Sequence, residues 1–304
     1  MPSDGLLTLP AGDPFIPAGP GAARSRLAHF IRSGAAGDYG ARRNSVAEDG
    51  TSQISPYLRF GMCTGAQIGR ALRVDGELPS ARGAYWRQVA WREFFHHLAA
   101  RRPNVLRVAL REDLRGIQWN QDDDGFAAWK AGLTGYPIVD AAMRQLRSTG
   151  WMHNRTRMIV ASFLVKDLLI DWRRGETHFM QHLLDGDPAS NNGGWQWVAG
   201  TGADAAPYFR VFNPMLQGKK FDPNGTYVRR FVPELADVPT NRIHEPWLMN
   251  EAEQAGASCR IGADYPHPIV DHQERRAEVL DRYRAARESA GTSEPSDSEV
   301  PTER

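Results

Sequence analysis

The chain has 304 residues, a formal net charge of +1, 41% hydrophobic residues and nine tryptophans. Its length suits one large or two ordinary domains with a real core, and its near-neutral charge excludes binding of nucleic acid by bulk charge alone. The two cysteines, Cys63 and Cys259, lack metal-ligand spacing, and no apolar run reaches membrane-spanning length. This excludes a disulfide scaffold, a zinc site and a membrane span, and with no secretory leader visible it predicts a cytoplasmic protein without metal.

Met1 to Gly21 carries Pro2, Pro10, Pro14, Pro17 and Pro20 among glycines and reads as an extended, flexible lead. Helical patterning starts at Ala22. Arg24 to Ser33 puts Leu27, Phe30 and Ile31 on one face, and Ala84 to Arg101 is a long aromatic-rich helix ended by Pro103. Phe126 to Ala131 is a short helix, and Pro137 opens another that reaches about Ser148. Asn154 to Trp172 is apolar around most of its circumference and belongs in the core as one helix. Glu176 to Leu184 and the charged stretch Asp271 to Arg287 are the last helices. Residues 289–304 are rich in Ser, Glu and Pro and read as a disordered tail. There is no β-α-β alternation and no internal repeat. The expectation is an all-α fold with one helical domain over residues 22–288.

Chemistry concentrates in Asp185 to Gly194, DGDPASNNGG, where two acids, two adjacent amides and three glycines, two of them paired, fall together. The proline and the paired glycines argue against helix and strand, so an ordered loop carrying polar side chains is expected, with Trp195 and Trp197 opening an apolar stretch. Thr51, Ser52 and Ser55, ahead of Pro56, offer hydroxyls and a tight turn; the same residues read equally as a simple helix cap. No GxGxxG stands between a strand and a helix, so the usual dinucleotide fold is not in use. Arg210, Lys219, Lys220, Arg229 and Arg230 interleave with Tyr208, Phe209, Phe212, Phe221 and Tyr227 between Asp204 and Phe231, a pattern suited to a nucleic-acid backbone or to an anchored surface loop.

These runs, with EDGTSQISPYLRFG (Glu48 to Gly61), WREFFHHL (Trp91 to Leu98) and the stretch Thr134 to Trp172, resemble the DNA photolyase and cryptochrome family, in particular the C-terminal FAD-binding catalytic domain of class I cyclobutane pyrimidine dimer photolyases. The resemblance covers roughly Ala22 to Ala286. It implies a helical FAD-binding domain without the N-terminal α/β antenna domain, either as a stand-alone domain or as a fragment. No antenna chromophore is then expected on this chain, and a separate antenna protein stays open as a partner.

By the same resemblance FAD, reduced in the active state, is held by Tyr39, Thr51, Ser52, Gln53, Ile54, Ser55, Tyr85, Gln88, Arg92, Asn154, Arg157, Asp185, Gly186, Asp187 and Asn191. Asn191 faces the flavin N5, where an amide pairs with a protonated nitrogen and favours repair over signalling. Arg157 and Asp185 pair in the pocket, which keeps the acid ionised. Trp119, Trp172 and Trp195 match the family's three-tryptophan electron-transfer chain.

The implied partner is UV-damaged DNA, bound by a monomer, and photolyases are among the enzymes that extrude their target from the duplex. Trp91 and Trp197 match the walls of the lesion pocket. Asn154, Arg155 and Met158 match residues near the lesion, and Arg43, Arg210, Gln217 and Lys220 match DNA-contacting positions. Gln88 departs from the pattern, because many pyrimidine-dimer enzymes have Glu there and enzymes for the (6-4) photoproduct have Gln. Tyr85 likewise stands where Trp is common. Against the (6-4) alternative, His153–Asn154 follows the pyrimidine-dimer pattern.

Overall fold

Pro20 occupies the first turn of α1 (Pro20–Arg32), where its missing N–H costs nothing, so the first helix begins inside the expected lead. This computed structural model describes residues 16–207 and 210–291. Most of the expected lead and tail, and Tyr208 and Phe209 of the basic segment, lie outside the described residues. After α1 come α2 (Ala35–Arg42), α3 (Ser55–Arg59), α4 (Gly65–Ala71) and the long α5 (Gly83–Arg101). Then follow α6 (Asp123–Ala131), α7 (Pro137–Thr149), α8 (Asn154–Ser162), α9 (Trp172–His182) and α10 (Pro188–Ala199). The last are α11 (Pro214–Phe221), α12 (Thr226–Phe231), α13 (Glu251–Gly256) and α14 (His272–Ser289). Among the described residues the only β pairing is two isolated bridges, so the fold is all-α as expected. No described helix is long and apolar enough to cross a membrane.

One apolar cluster joins α1, α2 and α4 to the start of α5 through Leu27, Phe30, Tyr39, Ile68, Leu72, Tyr85 and Val89. A larger one is built on α6 to α10 and α12, with Trp129, Trp172, Trp195 and Tyr227 inside it. Trp129 is wholly buried, and its indole N–H donates to the Val160 carbonyl at 3.0 Å, so the polar atom of this large side chain is satisfied.

Two expectations need correction. The segment expected as an ordered loop at Asp185 to Gly194 is helical from Pro188 onward. Pro188 sits in the first turn, where proline is tolerated. Gly193 is tolerated for its contact: a Cβ there would stand 2.2 Å from the Phe95 ring, so the missing side chain lets α5 and α10 close on each other. The other correction concerns Asn154 to Trp172, which is buried as expected but is not one helix. A π-helical turn at Phe163–Asp167 ends the run, Leu169 takes a left-handed φ of 54°, and the Asp171 carboxylate caps α9 by accepting from the Arg173 N–H at 3.0 Å. A capping aspartate inside an apolar run restarts the helix there. The helix expected at Glu176 to Leu184 accordingly begins earlier, at Trp172, and ends at His182.

Candidate functional site

The Asp-Gly-Asp sequence ahead of α10 is held by side chains of two helices and approached by a third. Arg157 on α8 reaches both Asp185 carboxylate oxygens, at 2.9 and 3.0 Å, and its Nε donates to the Met152 carbonyl at 2.8 Å. Arg59 at the end of α3 donates to the Gly186 carbonyl. On α5, His96 Nε2 stands 3.1 Å from Asp187, whose carboxylate also caps α10 by accepting from the Ser190 N–H at 2.8 Å. Burial would push the Asp187 carboxyl up, but the hydrogen bonds from Ser190 and the charges of His96 and Arg92 outweigh it and hold it below its usual range. The expected Arg157–Asp185 pair is thus present. The supports from Arg59 and His96 were not foreseen, although both lie in the quoted runs SPYLRFG and WREFFHHL.

Asn191 lies one helical turn beyond Asp187. Its side-chain N–H donates to the Glu176 backbone carbonyl at 2.9 Å and to the Glu176 carboxylate at 3.3 Å. Both acceptors take the amide nitrogen, so the amide is oriented and its carbonyl oxygen has no partner among the described residues. Burial raises the Glu176 carboxyl, and the hydrogen bond from Asn191 opposes it. No signal in the sequence marked Glu176.

The TSQIS segment is a strained turn leading into α3. Gln53 holds a left-handed φ of 49°, a conformation that non-glycine residues adopt only where their surroundings impose it. Ser52 is its buried anchor: the Tyr85 hydroxyl donates to Ser52 Oγ at 2.9 Å, and Arg26 donates to the Ser52 carbonyl at 2.9 Å. Thr51, Gln53 and Ser55 stay half-buried, and Ile54 is buried. Tyr39 packs edge-on against Tyr85 at 5.1 Å behind this turn, and burial raises both phenols above their ordinary range. Tyr85, Gln88 and Arg92 follow one another at helical spacing on α5. Gln88 is half-buried, whereas Arg92 pairs with Glu93 at 3.0 Å and donates to the Leu58 carbonyl at 3.5 Å.

Trp172 and Trp195 are buried in the same apolar cluster, and half-buried Trp119 packs against it. α9 and α10 approach so closely that a Cβ on Gly175 would stand 2.1 Å from the Trp195 ring. Trp195 contacts Phe179 at 5.0 Å and Trp129 at 6.2 Å between ring centres, and Trp119 meets Tyr283 at 6.2 Å. The Trp195 indole N–H is buried without a hydrogen-bond partner.

Of the expected DNA-facing residues, Trp91 is half-buried on α5 against Phe94 and Phe95, at 5.4 and 5.6 Å, and Trp197 is half-buried on α10. Asn154 is exposed at the start of α8, with its amide 3.7 Å from the Met158 sulfur. Arg155 is more committed than expected: it donates twice to Asn44, at 2.9 and 3.2 Å, and its guanidinium lies 4.4 Å over the Phe221 ring. Burial and the neighbouring Arg43 charge lower its pKa. The basic segment divides in two. Arg229 is folded onto the carbonyls of Asn224, Ala236 and Val238, and Lys219 pairs with Glu245, whereas Arg210, Lys220 and Arg230 are exposed. The Gln217 carbonyl oxygen is buried without a partner, so that residue presents less of its amide than expected.

These residues fit a flavin dinucleotide: an imposed left-handed turn carries the hydroxyls, a fixed amide oxygen stands ready for an N–H donor, and a part-buried Arg–Asp pair holds the adjoining segment. The comparisons with known proteins agree. Residues 85–285 match the family model for the FAD binding domain of DNA photolyase. Deoxyribodipyrimidine photo-lyase of Escherichia coli is 49% identical over 273 residues, covering 88% of this chain and 56% of that protein. A bacterial class III photolyase from Agrobacterium tumefaciens superposes with a TM-score of 0.85 at 45% identity, covering 89% of this chain and 56% of that one. A cryptochrome from Synechocystis superposes with a TM-score of 0.80 at 36% identity, covering 87% and 56%.

The chain therefore belongs to the photolyase/cryptochrome family and carries its FAD-binding domain. It spans about half the length of the curated relatives it matches.

Proposed function

We propose that the protein repairs cyclobutane pyrimidine dimers in DNA by light-driven electron transfer from reduced FAD. When bound, the flavin absorbs the light and supplies the electron that opens the cyclobutane ring. The protein's own residues position and insulate. Thr51, Ser52 and Ser55 offer hydroxyls to the pyrophosphate. Asp185 and Asp187 would present carboxylates towards the flavin edge, with the segment held by Arg157, Arg59 and the Ser190 N–H. Asn191 presents its carbonyl oxygen to the flavin N5–H, and this oriented amide is the observation that carries the reading. An oxygen there favours the reduced, N–H-bearing cofactor that repair requires, because an unpaired buried donor is costly.

Trp91 and Trp197 serve as walls for the extruded pyrimidine pair, with Gln88 and Asn154 donating to it. Arg43, Arg155, Arg210 and Lys220 face the backbone. Trp195 and Trp172 are buried and Trp119 is half-exposed, which suits a path that brings electrons inward from Trp119 for photoreduction of the flavin. The test is repair of a defined oligonucleotide by the reduced, FAD-loaded protein under blue light, with dark controls. Gln88 favours a second reading, a (6-4) photolyase, and an oligonucleotide carrying that lesion separates the two. Light-dependent flavin reduction with no repair of either lesion would instead favour a sensor of the cryptochrome kind.

A further inference from the structure

Helices α2 and α5 pack side by side and run the same way. A Cβ at Gly37 would stand 3.9 Å from the Ala81 methyl, and one at Gly40 would stand 3.6 Å from the Ala84 methyl. Each step of three along α2 is thus matched by a step of three through the Ser80–Arg82 turn into α5. One turn further, the same register brings Arg43, at the end of α2, alongside Arg87 on α5. Arg87 is exposed, next to half-buried Gln88 and one turn before half-buried Trp91. Burial first, and then the Arg43 charge, lower the Arg155 pKa, so Arg155 is a neighbour of the same group. We propose that Arg87 is a further DNA-binding residue, which grips the phosphodiester beside the extruded pyrimidine pair and so helps the protein tell damaged DNA from intact DNA.

The inference rests on the repair reading above and adds to it a residue that selects the lesion. Nearby acids are committed to other cations: Glu48 pairs with Arg42 at 3.2 Å, Asp49 with Arg26 at 3.4 Å, and Glu93 with Arg92 at 3.0 Å. Arg155 is held by the neutral Asn44 amide, and among the described residues no acid pairs with Arg43 or Arg87. Like charges gathered without an acid raise the local potential, and an anion relieves it. A phosphodiester suits a guanidinium best, because two parallel N–H groups meet two oxygens. Phosphate contacts usually fix register and carry no sequence information. This one reads deformation instead. The phosphates of an intact duplex follow the regular helix, whereas extruding a pyrimidine pair swings the backbone at that step towards the pocket mouth. A cation one turn from Trp91 meets its phosphate fully only when the pair is extruded.

The experiment measures binding in the dark by fluorescence anisotropy across a salt series. FAD-loaded wild type, Arg87→Ala and Arg87→Lys are each titrated against a duplex carrying one cyclobutane thymine dimer and against the same duplex intact. Arg87→Ala should bind the dimer duplex about tenfold more weakly, with a salt slope smaller by ~0.9, and should change binding of the intact duplex by less than about twofold. Arg87→Lys should keep the wild-type slope and lose part of the affinity, because an ammonium keeps the charge and not the fork. Equal losses on the two duplexes overturn the proposal, as does an Arg87→Ala protein that binds the dimer duplex as wild type does. The repair reading fails in a different way. A wild type that holds the dimer duplex no more tightly than the intact one removes both, whereas a preference that Arg87→Ala leaves untouched removes only the role of Arg87.

Discussion

Glu176 and Asn191 are joined by one donor and two acceptors: the Asn191 amide nitrogen bonds the Glu176 carbonyl and its carboxylate together. The consequence lies on the other side of the amide, where an oxygen and not a nitrogen is left to meet the flavin in the proposed function. Replacing Asn191 by Leu removes that acceptor and leaves the N–H of the reduced flavin unpaired. A neutral hydrogen bond is worth ~1 kcal/mol net, so the two-electron potential of bound FAD should fall by about 20 mV or more. Spectroelectrochemistry measures it, and an unchanged or higher potential would remove the assigned role of Asn191.

Two adjacent glycines in α10 should respond with opposite signs. Alanine at Gly193 drives a Cβ to 2.2 Å from the Phe95 ring, whereas a Cβ at Gly194 meets nothing within 4 Å. Gly193→Ala should destabilise the flavin-free protein by ~1–3 kcal/mol through overpacking. Gly194→Ala should stabilise it by up to about 1 kcal/mol through helix propensity. Denaturant midpoints of the two variants check both signs.

Stability should fall in mild acid. Burial, aided by the charges of Arg157 and Arg155, depresses His153 to about 4 from 6.5. Its Nδ1 accepts the Arg155 N–H at 3.1 Å and caps α8, which requires the neutral ring. The unfolded chain therefore binds the proton first as pH falls. The contribution is fully present above pH ~6.5 and is lost as pH drops towards 4, about 3 kcal/mol in all. His153→Asn keeps a capping acceptor and should flatten that part of the stability profile; an unaltered slope between pH 6.5 and 4 would contradict the assignment.

The basic segment gives a contrast in salt dependence. Lys220 is exposed, whereas Arg229 is spent on three backbone carbonyls. Lys220→Ala should weaken DNA binding and reduce the salt slope by ~0.9. Arg229→Ala should lower stability and leave the slope alone. Filter binding across a salt series distinguishes them, and equal slopes for wild type and Lys220→Ala would take Lys220 off the DNA surface.

Helical patterning, with Pro103 ending α5 and Pro137 opening α7, placed α5, α7 and α14 within a few residues, because long amphipathic or aromatic-rich runs dominate their own local structure. The Arg157–Asp185 pair was legible because a charged residue in an apolar helix needs a partner. What the sequence hid was set by tertiary contact. Helix α10 tolerates Gly193 only because Phe95, nearly a hundred residues away, fills the space. Asp171 ends a buried run as a cap, and nothing in an apolar stretch distinguishes that from a solvated acid. Glu176 and His96 act through geometry that no spacing rule encodes. Arg229 looked like Lys220 in sequence, and only the carbonyls around it separate a structural cation from a surface one.

The central claim is repair, and one measurement tests it most directly. The FAD-loaded protein is reduced in the dark, mixed with an oligonucleotide containing a single cyclobutane thymine dimer, and illuminated with blue light while intact thymines are counted. The account predicts dimer loss that requires light and reduced flavin, and that is strongly impaired when Trp91 and Trp197 are both replaced by Ala. Persistence of the dimer under illumination, with flavin bound and reduced, would contradict it.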